Sequence, residues 1–443
     1  MTAPIIAIVG RANVGKSTLF NKLTQSRSAI VNDTPGVTRD RIYGAAELEN
    51  RPVLIVDTGG IDVNTANQIE LKVVTQALWA REEADFVIVV VDNQAGLTGT
   101  DREVIDQVRK AGKPFFLAVN KVDSASQHFI LPEFSELGLD NIFAVSAEHG
   151  NGLYELIEAM AQALPEAEPE PDFGEDDIRI AVIGKPNVGK SSLINSLLKS
   201  ERCIVSDVPG TTRDAIDTFL EWNERRFVLI DTAGIRGKGK THQVLDKFSV
   251  IMALKALDRC DVAVLVLDSA EQVSDQDATI AGYAMDRGKA CLILGNKWDL
   301  SKENETSFDE FEEHVRYRLK FLEYAPVVTV SAKTSLRIDK ILPQVEKVYE
   351  EYSRRIPTAT LNECFERAIQ KNPMSSYRGK FMKMFYATQV KKRPPTFKCF
   401  LNFPQGIHFS YRRYLVNFLR KTFGFSGTPV RLILAGKRKG VDS

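Results

Sequence analysis

The 443-residue chain predicts an α/β protein: two tandem doubly wound domains with mostly parallel sheets, followed by a small α+β unit. Three observations carry this reading. Short β-branched runs alternate with longer amphipathic segments over most of the chain. A phosphate-loop motif and several companion motifs occur twice in the same order. The last 87 residues differ sharply in charge from everything before them.

The first domain is expected over residues 1–164. Its strands read as "IIAIV", "VLIVD", "FVIVVVD", "FFLAVN" and "IFAVSA", separated by helical stretches such as "DREVIDQVRKAG". Continuous apolar runs between helical patterns indicate parallel strands covered on both faces, and Ile6, Val9, Val89 and, further on, Val266 read as core. Residues 165–177, "PEAEPEPDFGEDD", hold three prolines, seven acids and no base, the composition of an extended, solvated linker. The second domain, 178–352, repeats the first: "AIVGRANVGKSTLFNKL" (7–23) returns as "AVIGKPNVGKSSLINSL" (181–197), "PGVTRD" (35–40) as "PGTTRD" (209–214) and "LIVDTGGI" (54–61) as "LIDTAGI" (229–235). "NKVD" (120–123) likewise returns as "NKWD" (296–299), and "VSAE" (145–148) as "VSAK" (330–333). Order and spacing kept over this length argue for duplication of a whole domain. The final unit, 357–443, combines helix-like "LNECFERAIQKN", β-rich "KFMKMFYATQV" and "TFKCFLNF" joined by "KKRPP", the amphipathic "SYRRYLVNFLRKTFGF" and a last strand, "PVRLILAG".

Every repeated motif follows a strand, which in an open doubly wound sheet gathers them at the carboxyl edge where ligands bind. Gly10, Arg11, Ala12, Asn13, Val14, Gly15, Lys16 and Ser17, and in the second copy Gly184, Lys185, Pro186, Asn187, Val188, Gly189, Lys190 and Ser191, form G-x-x-x-x-G-K-S loops. Their backbone N–H groups and the following helix N-terminus can face a phosphate chain. Lys16 and Lys190 would reach the β- and γ-phosphates, with Ser17 and Ser191 as Mg²⁺ ligands. In Asn120, Lys121, Val122 and Asp123, and in Asn296, Lys297, Trp298 and Asp299, the carboxylate can accept from the ring N–H and exocyclic amine of guanine, a donor pair adenine lacks. The asparagines add amide bonds and the lysine stems cover the ring. The expected ligand is therefore GTP, with Ser146 and Ala147, and Ser331 and Ala332, completing the base end.

Asp57 and Asp231 would hold Mg²⁺ through its waters, and Gly60 and Gly234 would offer a backbone N–H to the γ-phosphate, within the runs Thr58, Gly59, Gly60, Ile61 and Thr232, Ala233, Gly234, Ile235. Thr38 and Thr212 read either as plain turn residues or as Mg²⁺ ligands that engage only with the γ-phosphate present, which would make a switch. With Lys16, Gly60, Lys190 and Gly234 they form the expected catalytic set. Where many GTPases place a water-orienting glutamine after D-x-x-G, this chain has Ile61 and Ile235. Either hydrolysis is slow, or another group or ion positions the water. Asn13 and Asn187 either ligate a monovalent cation near the phosphates or only brace the loop.

Composition narrows the rest. No apolar run approaches the roughly 18 residues of a membrane span, and "MTAPIIAIVG" lacks a basic segment before its apolar residues, so a cytoplasmic protein with no membrane partner is expected. Cys203, Cys260, Cys291, Cys364 and Cys399 show no C-x-x-C pairing and read as reduced, packed thiols. The net charge of zero conceals a division: residues 357–443 carry 17 Lys and Arg against 3 Asp and Glu, leaving −14 on the remainder. Such a tail implies an acidic partner. Its fourteen aromatics, among 17 basic residues, would suit RNA, although most must fill the core of so small a unit. "GFSG" (424–427) matches the clamp of KH domains as letters, but between a long helix and a strand it stands in the wrong place for that loop.

Taken together, the paired "NVGKS" loops, "PGVTRD" and "PGTTRD", "DTGG" and "DTAGIR", the acidic linker and the tail runs "YATQV", "RPPTF" and "FSYRRYLVNFLR" closely resemble the Der (EngA) family of bacterial tandem GTPases over nearly the full length. The resemblance implies P-loop GTPase domains, a KH-like third domain, GTP hydrolysis at both sites, and a role in assembly of the large ribosomal subunit through rRNA contacts; a monomer is expected. It also implies that potassium, held partly by Asn13 and Asn187, can serve in place of the missing glutamine. Ala12 departs from the family's proline, which Pro186 retains, and the terminus "AGKRKGVDS" is less typical. A different class of reading is a GTP-gated scaffold that binds protein or membrane partners and hydrolyses little.

Overall fold

The structure is a computed structural model that describes residues 4–24, 43–49, 51–58, 84–123, 132–164, 173–174, 176–199, 204–206, 217–231, 253–301 and 307–436. The chain packs as two compact units, residues 1–170 and 171–443.

In the first unit six strands form one sheet: β1 (Ile5–Val9), β2 (Tyr43–Leu48), β3 (Arg51–Asp57), β4 (Phe86–Asp92), β5 (Phe115–Asn120) and β6 (Ile142–Ala144), in the order β2-β3-β1-β4-β5-β6. Among the described residues only the β2–β3 pair is antiparallel. The parallel strands are the apolar runs expected from sequence, and β1 and β4 are buried along their whole length because helices cover both faces. Register pairs Ile8 with Asp57 on one side and Ile88 on the other, so the loops leaving β1, β3 and β4 start at one edge.

Three helices matter for the site: α1 (Lys16–Thr24), α2 (Gly99–Ala111) and α3 (Leu153–Ala163). Leu19, Phe20 and Leu23 turn one face of α1 into a core with Ile6, Ile8 and Phe86, each fully buried side chain contributing about 1.5–3 kcal/mol. A capping box fixes the start of α2: Asp101 N donates to Thr98 Oγ1 (3.3 Å) and Thr98 N donates to Asp101 Oδ2 (3.1 Å). Left-handed Gly112 ends it.

The second unit begins with the same design, enlarged by one strand. Its sheet contains β7 (Ile178–Ile183), β8 (Ile204–Ser206), β9 (Thr218–Trp222), β10 (Arg225–Leu229), β11 (Val262–Asp268), β12 (Ala290–Asn296) and β13 (Val327–Thr329), in the order β13-β12-β11-β7-β10-β9-β8. The β8-β9-β10 edge is antiparallel, and the other pairs are parallel. Cores form on both faces, with α4 (Lys190–Leu198) and α7 (Ile341–Ser353) on one, and α5 (Asp275–Asp286) and α6 (Phe308–Arg318) on the other. The end of the acidic stretch departs from the solvated expectation. Phe173 packs against the core, and Asp177, 6 % exposed, is gripped by Arg226 through Nε (2.7 Å) and Nη2 (2.5 Å). The physical reason is a base from β10 that the linker's own composition could not reveal.

The tail adds α8 (Thr358–Lys371), a short hairpin β14 (Ser376–Tyr377) and β15 (Lys380–Phe381), then β16 (Met384–Lys391), β17 (Thr396–Leu401), α9 (Phe409–Phe423) and β18 (Arg431–Gly436). The β-rich run from Lys380 forms two strands, with Met382 and Lys383 between β15 and β16. β16 pairs antiparallel and β18 parallel with β17, and Phe365, Leu415 and Leu419 from the helices pack on Ala387, Phe397, Cys399 and Leu432. The "GFSG" turn joins this unit to the preceding sheet domain: Gly427 N donates to Tyr324 O (2.7 Å) and Gly427 O accepts from Cys291 N (2.7 Å). Phe425 N donates to Glu351 Oε2 at 2.7 Å. Cys260, Cys291, Cys364 and Cys399 are buried free thiols, with burial pushing Cys260 and Cys399 up to about 12.

Candidate nucleotide sites

The two loops have one geometry. At Gly10 (φ 149°) a Cβ would lie 2.4 Å from Val90 O, and at Gly184 (φ 151°) one would lie 2.4 Å from Val266 O, so the strand-to-loop bend passes too close to the neighbouring strand for any side chain. Asn13 (φ 66°) and Asn187 (φ 64°) both take the left-handed conformation and are exposed at the loop tips. Lys16 Nζ donates to Gly10 O (2.8 Å) and Arg11 O (2.6 Å); Lys190 Nζ donates to Gly184 O (2.8 Å) and Lys185 O (2.8 Å). Each ammonium thus sits inside its own loop. Burial lowers both lysines, Lys190 to about 8, with the carboxylates of Asp57 and Asp277 respectively pulling the other way.

The base end is tied to the phosphate end by one asparagine in each copy. Asn120 Nδ2 donates to Val14 O (2.7 Å) while its Oδ1 accepts from Ala147 N (2.9 Å); Asn296 does the same with Val188 O (2.8 Å) and Ala332 N (3.0 Å). Ser146 Oγ donates to Asp123 Oδ1 (2.7 Å) and Ser331 Oγ to Asp299 Oδ1 (2.6 Å), aiming the carboxylates expected to read guanine. The intervening side chains point elsewhere. Val122 is 2 % exposed, and Trp298 stacks edge-on against Phe311 in the core with ring centroids 5.8 Å apart. Any contact of these two with a base falls to their backbone.

Beside the phosphate loop, Ser17 Oγ donates to Asp57 Oδ2 at 2.5 Å, so two hard oxygens suited to Mg²⁺ converge there. Thr58 Oγ1 donates to Ile8 O (2.6 Å), fixing the end of β3. In the second copy Asp231 N donates to Asp217 Oδ1 (3.0 Å), and Asp217 is paired with buried Arg259. Arg11 extends from its loop to Asp101 at the start of α2 (3.3 Å), as Lys185 does to Asp277 at the start of α5 (3.7 Å). Thr38, Gly59, Gly60, Ile61, Thr212, Thr232, Ala233, Gly234 and Ile235 lie outside the described residues.

Sequence reasoning missed one pair in each copy. Lys121 Nζ lies 2.6 Å from Asp92 Oδ2, and Lys297 Nζ lies 2.6 Å from Asp268 Oδ2. Burial pushes the Asp92 carboxyl up, but the Lys121 ammonium and the N–H groups of Gln94 and Ala95 outweigh it and hold it below the usual range. The signal was available, since "VVVD" and "LVLD" end equivalent strands.

The comparisons agree with this geometry. A family model described as "50S ribosome-binding GTPase" matches residues 5–121 and again 179–297, and one described as "KH-domain-like of EngA bacterial GTPase enzymes, C-terminal" matches residues 355–434. Relatives named GTPase Der are 49% identical over 438 residues in Symbiobacterium thermophilum (98% of this chain, 93% of the relative) and 47% over 439 residues in Moorella thermoacetica (99% and 100%). In Geotalea daltonii the identity is 45% over 434 residues, 98% of both chains. Two matched nucleotide domains, a matched KH-like unit and end-to-end likeness place this chain in the Der (EngA) family of GTPases, with two GTPase domains and a KH-like C-terminal domain.

Proposed function

We propose that the chain is a cytoplasmic double switch that acts in maturation of the large ribosomal subunit by presenting its basic tail to rRNA. What carries the reading is the twofold occurrence of one linked site, in which a single asparagine couples the phosphate loop to the base loop, on a chain whose tail is almost free of acids. At each site Lys16 or Lys190 leaves its loop carbonyls for the β- and γ-phosphates, and Asp123 or Asp299 accepts from guanine. Ser17 with Asp57, and Ser191 with Asp231, would hold Mg²⁺, joined by Thr38 and Thr212. When bound, the ion supplies positive charge to the phosphate oxygens. Asn13 and Asn187, exposed at the loop tips, offer amide oxygens suited to potassium beside the same phosphates. Gly60 and Gly234 would offer a backbone N–H to the γ-phosphate, a contact that exists only in the triphosphate state.

Favouring rRNA over an acidic membrane, the basic residues of the tail are spread over helices, strands and turns, and the apolar side of amphipathic α9 is spent on the tail's own core through Leu415 and Leu419. No helix among the described residues is long and apolar enough to cross a membrane. The test compares large-subunit rRNA with acidic liposomes as ligands of the full chain. Binding to rRNA that falls by at least about tenfold between about 0.05 and about 0.2 M salt supports the reading. Liposome binding without rRNA binding would replace it with the scaffold alternative.

A further inference from the structure

The tail's three-stranded sheet has two unlike faces. Ala387, Phe397, Cys399, Leu401 and Leu432 face the helices and are at most 2 % exposed. On the opposite face Tyr386 and Phe400, direct cross-strand partners, stack with centroids 4.4 Å apart and planes at 19°. Lys398 lies over the Phe400 ring at 5.3 Å, with Ile433 beside it in register. Tyr386 remains 48 % and Ile433 45 % exposed, and Phe381 on the adjoining hairpin, its carbonyl held by Asn402, is 88 % exposed. Pairing across the strands explains why the two rings meet. It does not explain why so much apolar surface is left open. Charge narrows the occupant: from Ser376 to Gly436 there are 12 Lys and Arg and no Asp or Glu.

We propose that this outer sheet face is a stacking platform for unpaired bases of single-stranded RNA, centred on Tyr386 and Phe400, with Lys398 for the backbone phosphate. The proposal rests on the rRNA reading and names the surface that would serve it. Aromatic rings on a flat sheet accept any base by its π-face, while a duplex hides its bases, so a preference for single strands follows. The "GFSG" turn is not part of this surface, being occupied against Tyr324 and Cys291.

The experiment measures binding of the full chain to a short single-stranded RNA and to its duplex by fluorescence anisotropy over a salt series. Tyr386→Ala and Phe400→Ala should each weaken single-strand binding about tenfold without changing the salt slope, while Tyr386→Phe keeps wild-type affinity. Lys398→Gln should lower the log–log salt slope by about 0.7, the increment of one single-strand phosphate contact. Thermal unfolding of each variant checks the fold, and because Tyr386 is the more exposed ring its variant stands even if the Phe400 change disturbs packing. Wild-type affinity in both alanine variants would overturn the platform while leaving rRNA binding intact. No RNA binding by the wild-type chain would instead sink the rRNA reading itself. Variants that lose large-subunit particles yet keep single-strand affinity would also overturn the platform, making the face a protein-docking surface.

Discussion

If Lys190 meets the phosphates as proposed, nucleotide binding at the second site should be coupled to protons. Its ammonium is lowered from 10.5 to about 8 because burial in the loop strips it of water. That displacement corresponds to an upper bound of roughly 3 kcal/mol, trimmed by solvent screening at a half-buried group. The sign follows from the direction. A lysine lowered in the fold makes the unfolded chain the better proton binder between about 8 and 10.5, so the nucleotide-free protein loses stability as pH falls through that window. Phosphates arriving beside Nζ reverse the preference, so binding takes a proton up. With the first site silenced by Lys16→Ala, titration calorimetry at pH 8.5 in two buffers of different ionisation enthalpy should report uptake of roughly three quarters of a proton. At pH 7 uptake should be near zero, and affinity should be about fourfold lower at the higher pH. Identical apparent enthalpies in both buffers at pH 8.5 would refute the reasoning.

Other outcomes follow from the same geometry. Asp123→Asn or Asp299→Asn, each removing a carboxylate aimed by its serine, should cost its own site at least about 10²-fold in GTP affinity and improve binding of xanthosine triphosphate; unchanged nucleotide preference would show that another group reads the base. Replacing sodium by potassium at constant ionic strength should raise turnover, and Asn13→Ala or Asn187→Ala should blunt that response at one site each; equal rates in both salts would remove the cation from the account. Gly427→Ala puts a Cβ 2.6 Å from Val348 Cγ2 at φ 69°, and should destabilise the second unit by about 2 kcal/mol, read as a lower thermal midpoint. An unchanged midpoint would mean the turn can shift without loss.

How much of this was legible in the sequence depends on the kind of interaction. The central strands were, because Ile5–Val9 and the run from Val262 to Leu267 must be apolar when helices cover both faces. The antiparallel edge was not: "YGAAEL" in β2 has no β-branched residue, and its strand state comes from pairing with β3. At the sites, the motifs located the phosphate and base loops, yet the asparagine bridge and the Asp92–Lys121 and Asp268–Lys297 pairs join residues about thirty to a hundred positions apart, which only the register of the sheet brings together. Asp177 shows the same limit in reverse. Its acidic neighbours suggest solvent, but Arg226 on β10 buries it. "GFSG" was set aside as a clamp on positional grounds, and its backbone is spent on Tyr324 and Cys291.

The central claim is that nucleotide state at two sites governs how the basic tail meets the large ribosomal subunit. Charge alone cannot supply that dependence, since phosphate contacts respond to salt and not to GTP. The most direct measurement is co-sedimentation of the full chain with large-subunit particles in GDP and in a non-hydrolysable GTP analogue, for wild type, Lys16→Ala and Lys190→Ala. The account predicts tighter association with the analogue, and a smaller difference in either variant because each unloads one switch. Equal association in both nucleotides, or a difference that survives both substitutions, would contradict it.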